Sequence, residues 1–251
     1  MRIGEEGGYW DNTGALNCKG SDRWNTTAAA DAYANYQNQS LGIGTNGYWF
    51  GAGPGLDPNY DGTTAQANSW GVVQAKKAWD DWQTRTKLQG TGSAGVLFLD
   101  VEDPSLNNPP QQGIGWHETV NSSCTTMNSS GWPHPALARA TVDGFLNWIF
   151  NNTPLFTGIY SGSGEWPEIF GSGSSSDISG VAMTWTADWT TINESCINPG
   201  PLDWTQSSPC SNSATFFGNV SSSGNCAMGW QWEGGSNDYD QINQTRLYLC
   251  N

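Results

Sequence analysis

Residues 95–104 read Gly-Val-Leu-Phe-Leu-Asp-Val-Glu-Asp-Pro, and the fold turns on how this stretch sits. Val96 to Leu99 are four apolar residues in a row, the pattern of a strand buried on both faces inside a parallel sheet. Side chains alternate between faces along a strand, so Asp100 and Glu102 point the same way, their Cα atoms roughly 6.6 Å apart. Pro104 has no N–H and ends the pairing soon after. Two carboxylates at the end of a buried strand are costly to desolvate. The C-terminal ends of such strands are where α/β barrels and open α/β sheets hold their chemistry. The ordinary alternative is that these acids cap N–H groups of a neighbouring loop, the role expected of Asp103.

Outward from this strand, helical and extended patterns alternate. Towards the N-terminus, strands are expected around Arg2 to Trp10 and Leu41 to Phe50, with a helix from about Ala28 to Gln37 between them. A long Gly/Pro loop runs from Gly51 to Thr63. Ala67, Gly71, Ala75, Ala78, Trp79 and Trp82 recur at helical spacing, and their small members would let that helix lie close to a sheet. After an Asn/Pro/Ser loop to about Pro135, Ala138, Val142, Phe145, Leu146 and Ile149 mark a second helix. Strands are expected at Phe156 to Ser161, Val181 to Trp189 and Met228 to Glu233, with a short helical turn at Trp166 to Phe170. Alternation of this kind indicates a parallel sheet. The fold class is therefore α/β: a single (β/α)8 barrel domain over residues 1–251, incomplete or distorted because only six or seven strands are legible.

Composition narrows the function. The chain of 251 residues carries 23 acidic and 9 basic side chains, a formal charge of −14, which argues against nucleic acid or an anionic membrane as partner. No run approaches the roughly 20 apolar residues of a membrane span. Met1-Arg2-Ile3 leads straight into Gly-Glu-Glu-Gly with no signal peptide, so Met1 is read as replacing a removed leader. The six cysteines, Cys18, Cys124, Cys196, Cys210, Cys226 and Cys250, form no Cys-x-x-Cys pair, and only His117 and His134 could assist a metal. Three disulfides are expected rather than a metal site, which implies a secreted, extracellular protein. Cys196/Cys210 and Cys226/Cys250 are plausible local pairs, but the connectivity stays open. No cofactor motif occurs. Fifteen tryptophans stand among only 13% charged residues, and an indole face can pack a core or stack on the apolar face of a sugar ring.

Four stretches, in order, resemble a known family. Leu99-Asp100-Val101-Glu102 resembles the Asp-x-Glu strand of the family 25 glycoside hydrolases, the lysozyme-type muramidases. Gly158-Ile-Tyr-Ser is similar to that family's next strand, Thr184-Trp-Thr-Ala-Asp-Trp to its Leu-Trp-x-Ala strand. Trp230-Gln-Trp with Asp238-Tyr-Asp-Gln-Ile-Asn is similar to its closing elements. The resemblance covers roughly residues 40–245, and the chain resembles the glycoside-hydrolase-like barrels related to family 25 more than the true muramidases. The chain departs from it at the start: the family has an Ile-Asp-x-Ser strand, whereas Ile3-Gly4-Glu5-Glu6 stands here, so either Glu5 takes the acidic role or the first strand is displaced.

The resemblance implies a secreted glycoside hydrolase acting on a polysaccharide, a cell-wall glycan among the candidates, working as a monomer. Glycoside cleavage needs a proton donor and a second carboxylate at the oxocarbenium-like carbon. Glu102 is the expected general acid, its pKa raised by desolvation and by Asp100, which would stay ionised and assist. Asp240 is the further electrostatic partner by resemblance, with Asp238 the register alternative. Tyr160, Trp185, Asp188, Trp230, Gln231, Glu233 and Glu5 are candidates to line the substrate cleft. Alternation forbids Trp185 and Asp188 from both facing inward on an unbroken strand. Two other classes stay open: a glycan-binding barrel without turnover, and a secreted structural or partner-binding domain.

Overall fold

The computed structural model describes residues 4–10, 16–21, 47–89, 95–103, 114–117, 119–120, 126–127, 134–162, 165–170, 182–187, 226–233 and 239–242. Its strands are β1 (Gly4–Trp10), β2 (Leu16–Ser21), β3 (Gly47–Phe50), β4 (Val96–Asp100), β5 (Thr119–Val120), β6 (Thr126–Met127), β7 (Phe156–Gly162), β8 (Ala182–Ala187), β9 (Cys226–Glu233) and β10 (Tyr239–Ile242). Helices α1 (Thr64–Gln89), α2 (Pro135–Asn152) and α3 (Glu165–Phe170) interleave with them. The main sheet runs β10-β9-β8-β7-β4-β3-β1-β2, and β5 and β6 form a separate small antiparallel pair. From β1 through β3, β4, β7 and β8 to β9 every ladder is parallel. The strands at the two ends, β2 and β10, pair antiparallel with β1 and β9. The α/β class with a parallel sheet is as the sequence predicts. Among the described residues the sheet has two ends, β2 and β10, and the helix expected at 28–37 lies outside them.

β4 is buried along its whole length. Its two faces meet different neighbours. Leu97, Leu99 and Val101 join a core with Trp70, Ala75, Ala78 and Trp82 of α1 and Ala138, Val142, Phe145, Leu146 and Ile149 of α2. Each fully buried leucine, isoleucine, valine or phenylalanine among them stabilises the fold by about 1.5–3 kcal/mol. Phe98 and Asp100 take the opposite face, as strand alternation requires. Phe98 pairs with Gly158 of β7, and a Cβ at residue 158 would sit 2.3 Å from Phe98 Cδ1. The phenyl ring therefore fills the place of a side chain on β7, one row below Asp100.

α1 begins three residues earlier than the hydrophobic pattern suggests. Thr63 caps it: the Gln66 N–H donates to Thr63 Oγ1 at 3.1 Å, the cap-to-N3 bond favoured at helix starts. Gly71 does not serve contact with the sheet, as its spacing implied. A Cβ there would lie 1.9 Å from the Thr141 carbonyl oxygen on α2, and one at Gly144 of α2 would lie 2.1 Å from the Asn68 carbonyl oxygen. The two helices thus approach backbone to backbone at paired glycines, and Asn68 Nδ2 donates to the Ala140 carbonyl at 3.2 Å across the same contact.

Candidate active site

β4 continues to pair beyond its last assigned residue. The Val101 N–H donates to the Tyr160 carbonyl at 2.8 Å, and Ser161 Oγ donates to the Val101 carbonyl at 2.7 Å. The extended chain therefore carries Asp100 and Glu102 forward along β7. Asp100 lies in register between Phe50 of β3 and Tyr160 of β7. It is 6% exposed, Tyr160 is 5% exposed, and Glu102 is half-buried. One carboxyl group is thus held in the wall and the other stands at its edge.

Tyr160 ties these acids together. Its hydroxyl donates a hydrogen bond to Glu102, and Glu102, Asp100 and Glu165 all bear on it electrostatically. Burial and then these negative neighbours push the phenol well above its ordinary value of 10.0. It therefore remains a proton donor throughout the neutral range. Glu165, the first residue of α3, places its Oε2 3.5 Å from where a Cβ on Gly162 would be, so its carboxylate lies over the end of β7.

The connections after β3 and β4 support this edge. The Gly51 N–H donates to the Asp100 carbonyl at 2.8 Å. Gln74 of α1 grips Ala52 at both ends, Nε2 donating to its carbonyl and Oε1 accepting from its N–H, each at 2.8 Å. Trp70 Nε1 adds a third bond, to the Ala52 carbonyl at 3.1 Å. Segment 114–117 lies against this loop. Gly53 and Gly55 donate to the Ile114 and Gly115 carbonyls at 2.8 and 3.0 Å, and Trp116 Nε1 donates to the Gly51 carbonyl at 3.3 Å. Gly115 adopts φ +83°, a conformation open to glycine. A Cβ on Gly53 would fall 2.2 Å from the Gly115 carbonyl group. Beyond it, Trp116 faces Phe170 of α3 at 6.4 Å, and Trp166 packs on the same ring at 4.1 Å.

Asp103, expected to cap N–H groups of a neighbouring loop, is fully buried. It acts electrostatically on His117, as does Glu168 of α3. Burial lowers the imidazole below its ordinary value of 6.5, outweighing both acids. His117, Glu165 and Glu168 escaped the sequence reading as site residues. Each comes from a loop or helix start with no periodic signal, so only the fold brings it to the strand ends.

The remaining candidates are placed by register. Trp185 stands in line with Tyr160, and Trp230 and Gln231 with Thr186 and Ala187 one strand further. Asp240 pairs with Gln231, and Glu233 with Tyr239. Glu5 pairs with Tyr48, while Gly8 is the β1 residue in line with Phe50 and Asp100. Asp188 and Asp238 lie outside the described residues, and so do Cys124, Cys196, Cys210 and Cys250; Cys18 and Cys226 belong to β2 and β9. The tryptophans whose side chains are described pack in or against the core: Trp49, Trp70, Trp82, Trp116 and Trp166 are buried, and Trp79 and Trp148 cover its edge. Among the described residues no group of three His, Cys, Asp or Glu side chains is arranged to hold a metal. Nor is any described helix long and apolar enough to cross a membrane.

No protein-family model and no curated protein matches the sequence. Among solved structures the chain is similar to a muramidase from Acremonium alcalophilum, with 14% identity and a TM-score of 0.44 over 90% of this chain and 79% of that one. It is also similar to a bacterial lysozyme from Streptomyces coelicolor, at 16% identity and TM-score 0.42 over 87% and 76% of the two chains. A family GH25 lysozyme from Aspergillus fumigatus gives 15% identity and TM-score 0.42 over 91% and 81%.

Proposed function

We propose that this chain is a glycoside hydrolase acting on a polysaccharide of the cell wall, with Glu102 as general acid and Asp100 as its assisting carboxylate. The observation that carries this reading is the juxtaposition of a buried Asp100, a half-buried Glu102 and the Tyr160 hydroxyl at the C-terminal end of buried parallel strands. Glycoside cleavage asks for that combination. A proton must reach the leaving oxygen while negative charge supports the oxocarbenium-like carbon.

Three carboxyl groups, those of Asp100, Glu102 and Glu165, surround one phenol. Like charges so close cannot all ionise without cost, and a proton retained on Glu102, half-buried where Asp100 is buried, is the one we assign to the substrate. As that proton leaves, negative charge develops on Glu102. The Tyr160 hydroxyl, already aimed at it, stabilises the carboxylate that results. Asp100 stays fixed between Phe50 and Tyr160 as a charge the substrate approaches. Trp185, in line with Tyr160, supplies an indole for sugar stacking, and Asp240 on β10 is the further acidic partner. Secretion, three disulfides and a monomeric state complete this reading.

The test is release of reducing ends from purified bacterial, fungal and plant wall polymers. Wild-type protein should release them, and Glu102→Gln should abolish release while leaving polymer binding intact. Binding without release from any polymer would replace the hydrolase with a glycan-binding barrel. Neither binding nor release would leave only a structural or partner-binding domain.

A further inference from the structure

The cleavage proposed above makes no use of His117, although the fold buries its imidazole where Asp103, the residue after Glu102, acts on it. His117 is 8% exposed, and its Nε2 has no hydrogen-bond partner among the described residues. Its segment is bonded to the loop after β3 through Gly53, Gly55 and Gly51, and that loop is bonded to Asp100. Trp116, its neighbour in sequence, packs against Phe170. His117 is thereby wedged between the segment leaving β4 and helix α3. Asp103, fully buried, directly follows Glu102. In an extended chain the two side chains point opposite ways, so whatever holds Asp103 inside aims Glu102 outward.

We propose that His117 is a positioning residue, paired with Asp103 in a buried acid–imidazole couple that fixes the segment carrying Glu102 against Tyr160. This rests on the hydrolase reading for its consequence in catalysis, though the couple itself does not. The charged groups facing the imidazole are Asp103 from the end of β4 and Glu168 from α3. At the end of α3, Arg139 of α2 stands 5.6 Å over the Phe170 ring and donates to the Phe170 carbonyl at 3.2 Å. A neutral imidazole has one N–H to donate and one nitrogen to accept, which suits a buried carboxylate on one side. Burial dominates and keeps the ring neutral at pH 7. The folded protein therefore binds a proton there less readily than the unfolded chain. Acidification below about 6.5 thus withdraws stability from this corner.

The experiment uses the full chain. In His117→Gln, kcat on a wall polymer should fall between about 10- and 100-fold with KM within about twofold, and the acid limb of the kcat–pH profile should move. The imidazole titration of the wild-type protein, followed by NMR, should lie below the free-histidine midpoint, and Asp103→Asn should shift it further down by removing a negative neighbour. An unchanged profile in His117→Gln overturns the proposal. So does an imidazole midpoint that ignores Asp103→Asn, a readout available even if His117→Gln does not fold. If wild-type protein releases no reducing ends, the hydrolase reading falls, and the NMR titration alone decides the couple.

Discussion

Tyr160 donates its hydroxyl proton to Glu102 across the seam between β7 and the chain leaving β4. The same residue faces Asp100 in the ladder, so one phenol fixes the relative positions of two acids that the backbone already places on one face. Removing the hydroxyl while keeping the ring separates this role from packing. In Tyr160→Phe, kcat should fall at least about tenfold, the lower range of general acid–base contributions being larger still. The fold should lose no more than about 1.5–3 kcal/mol, the worth of a hydrogen bond to a charged group. Steady-state kinetics and urea unfolding, run on the same sample, check both.

The phenol also reports on its neighbours. Its folded value lies above the unfolded value of 10.0 because of burial first and then Glu102, Asp100 and Glu165. A group raised in this way contributes stability that is whole below pH 10 and is lost as pH climbs towards the folded value. Absorbance near the tyrosinate band should therefore show Tyr160 silent near pH 10, appearing only with alkaline unfolding. Glu102→Gln should bring its ionisation down by more than Glu165→Gln, since Glu102 acts on it more strongly and is also the hydrogen-bond acceptor. The reverse order would mean that Glu165, not Glu102, is the phenol's partner.

How much of this was legible beforehand follows from where each signal resides. β4 is readable because a buried parallel strand is written as an unbroken apolar run, β7 because Phe156, Thr157, Ile159 and Tyr160 are aromatic or β-branched, and Asp100, Glu102 and Tyr160 come with them as row-mates. α1 and α2 are readable from their spacing. β2 and β10 were not read as strands: Leu16-Asn-Cys-Lys-Gly-Ser and Tyr239-Asp-Gln-Ile are short and polar, and end strands need only their backbones to pair. Gly71 looked like a sheet contact because small residues mark any close approach, and only the fold says that its partner is α2. His117, Glu165 and Glu168 depend on three separate connections converging, which no local pattern records.

The glycine pair between α1 and α2 makes a sharp stability prediction. A methyl group at residue 71 meets the Thr141 carbonyl and the Phe145 N–H, and one at residue 144 meets the Asn68 carbonyl. All of these are backbone atoms with no rotamer to turn away. Helix propensity alone would favour alanine at either position by about 1 kcal/mol. Overpacking should reverse the sign, so that Gly71→Ala and Gly144→Ala each destabilise by about 1–3 kcal/mol. Thermal or urea denaturation showing stabilisation would place the helices further apart than described.

Gln74 is the polar residue whose loss should reach the site from furthest away. It is 1% exposed and satisfies both the N–H and the carbonyl of Ala52, at the start of the loop whose Gly51 bonds to Asp100. Gln74→Leu keeps the bulk but orphans the Ala52 N–H, while the carbonyl retains its bond from Trp70. One unsatisfied buried donor costs about 1–3 kcal/mol. Because the loop carries Gly51 and Gly53, the contacts of segment 114–117 should loosen with it, and amide exchange should quicken at Gly51, Gly53 and Gly55 while the α2 amides stay protected. If exchange rises uniformly across the protein instead, Gln74 supports the global fold and has no selective hold on the strand ends.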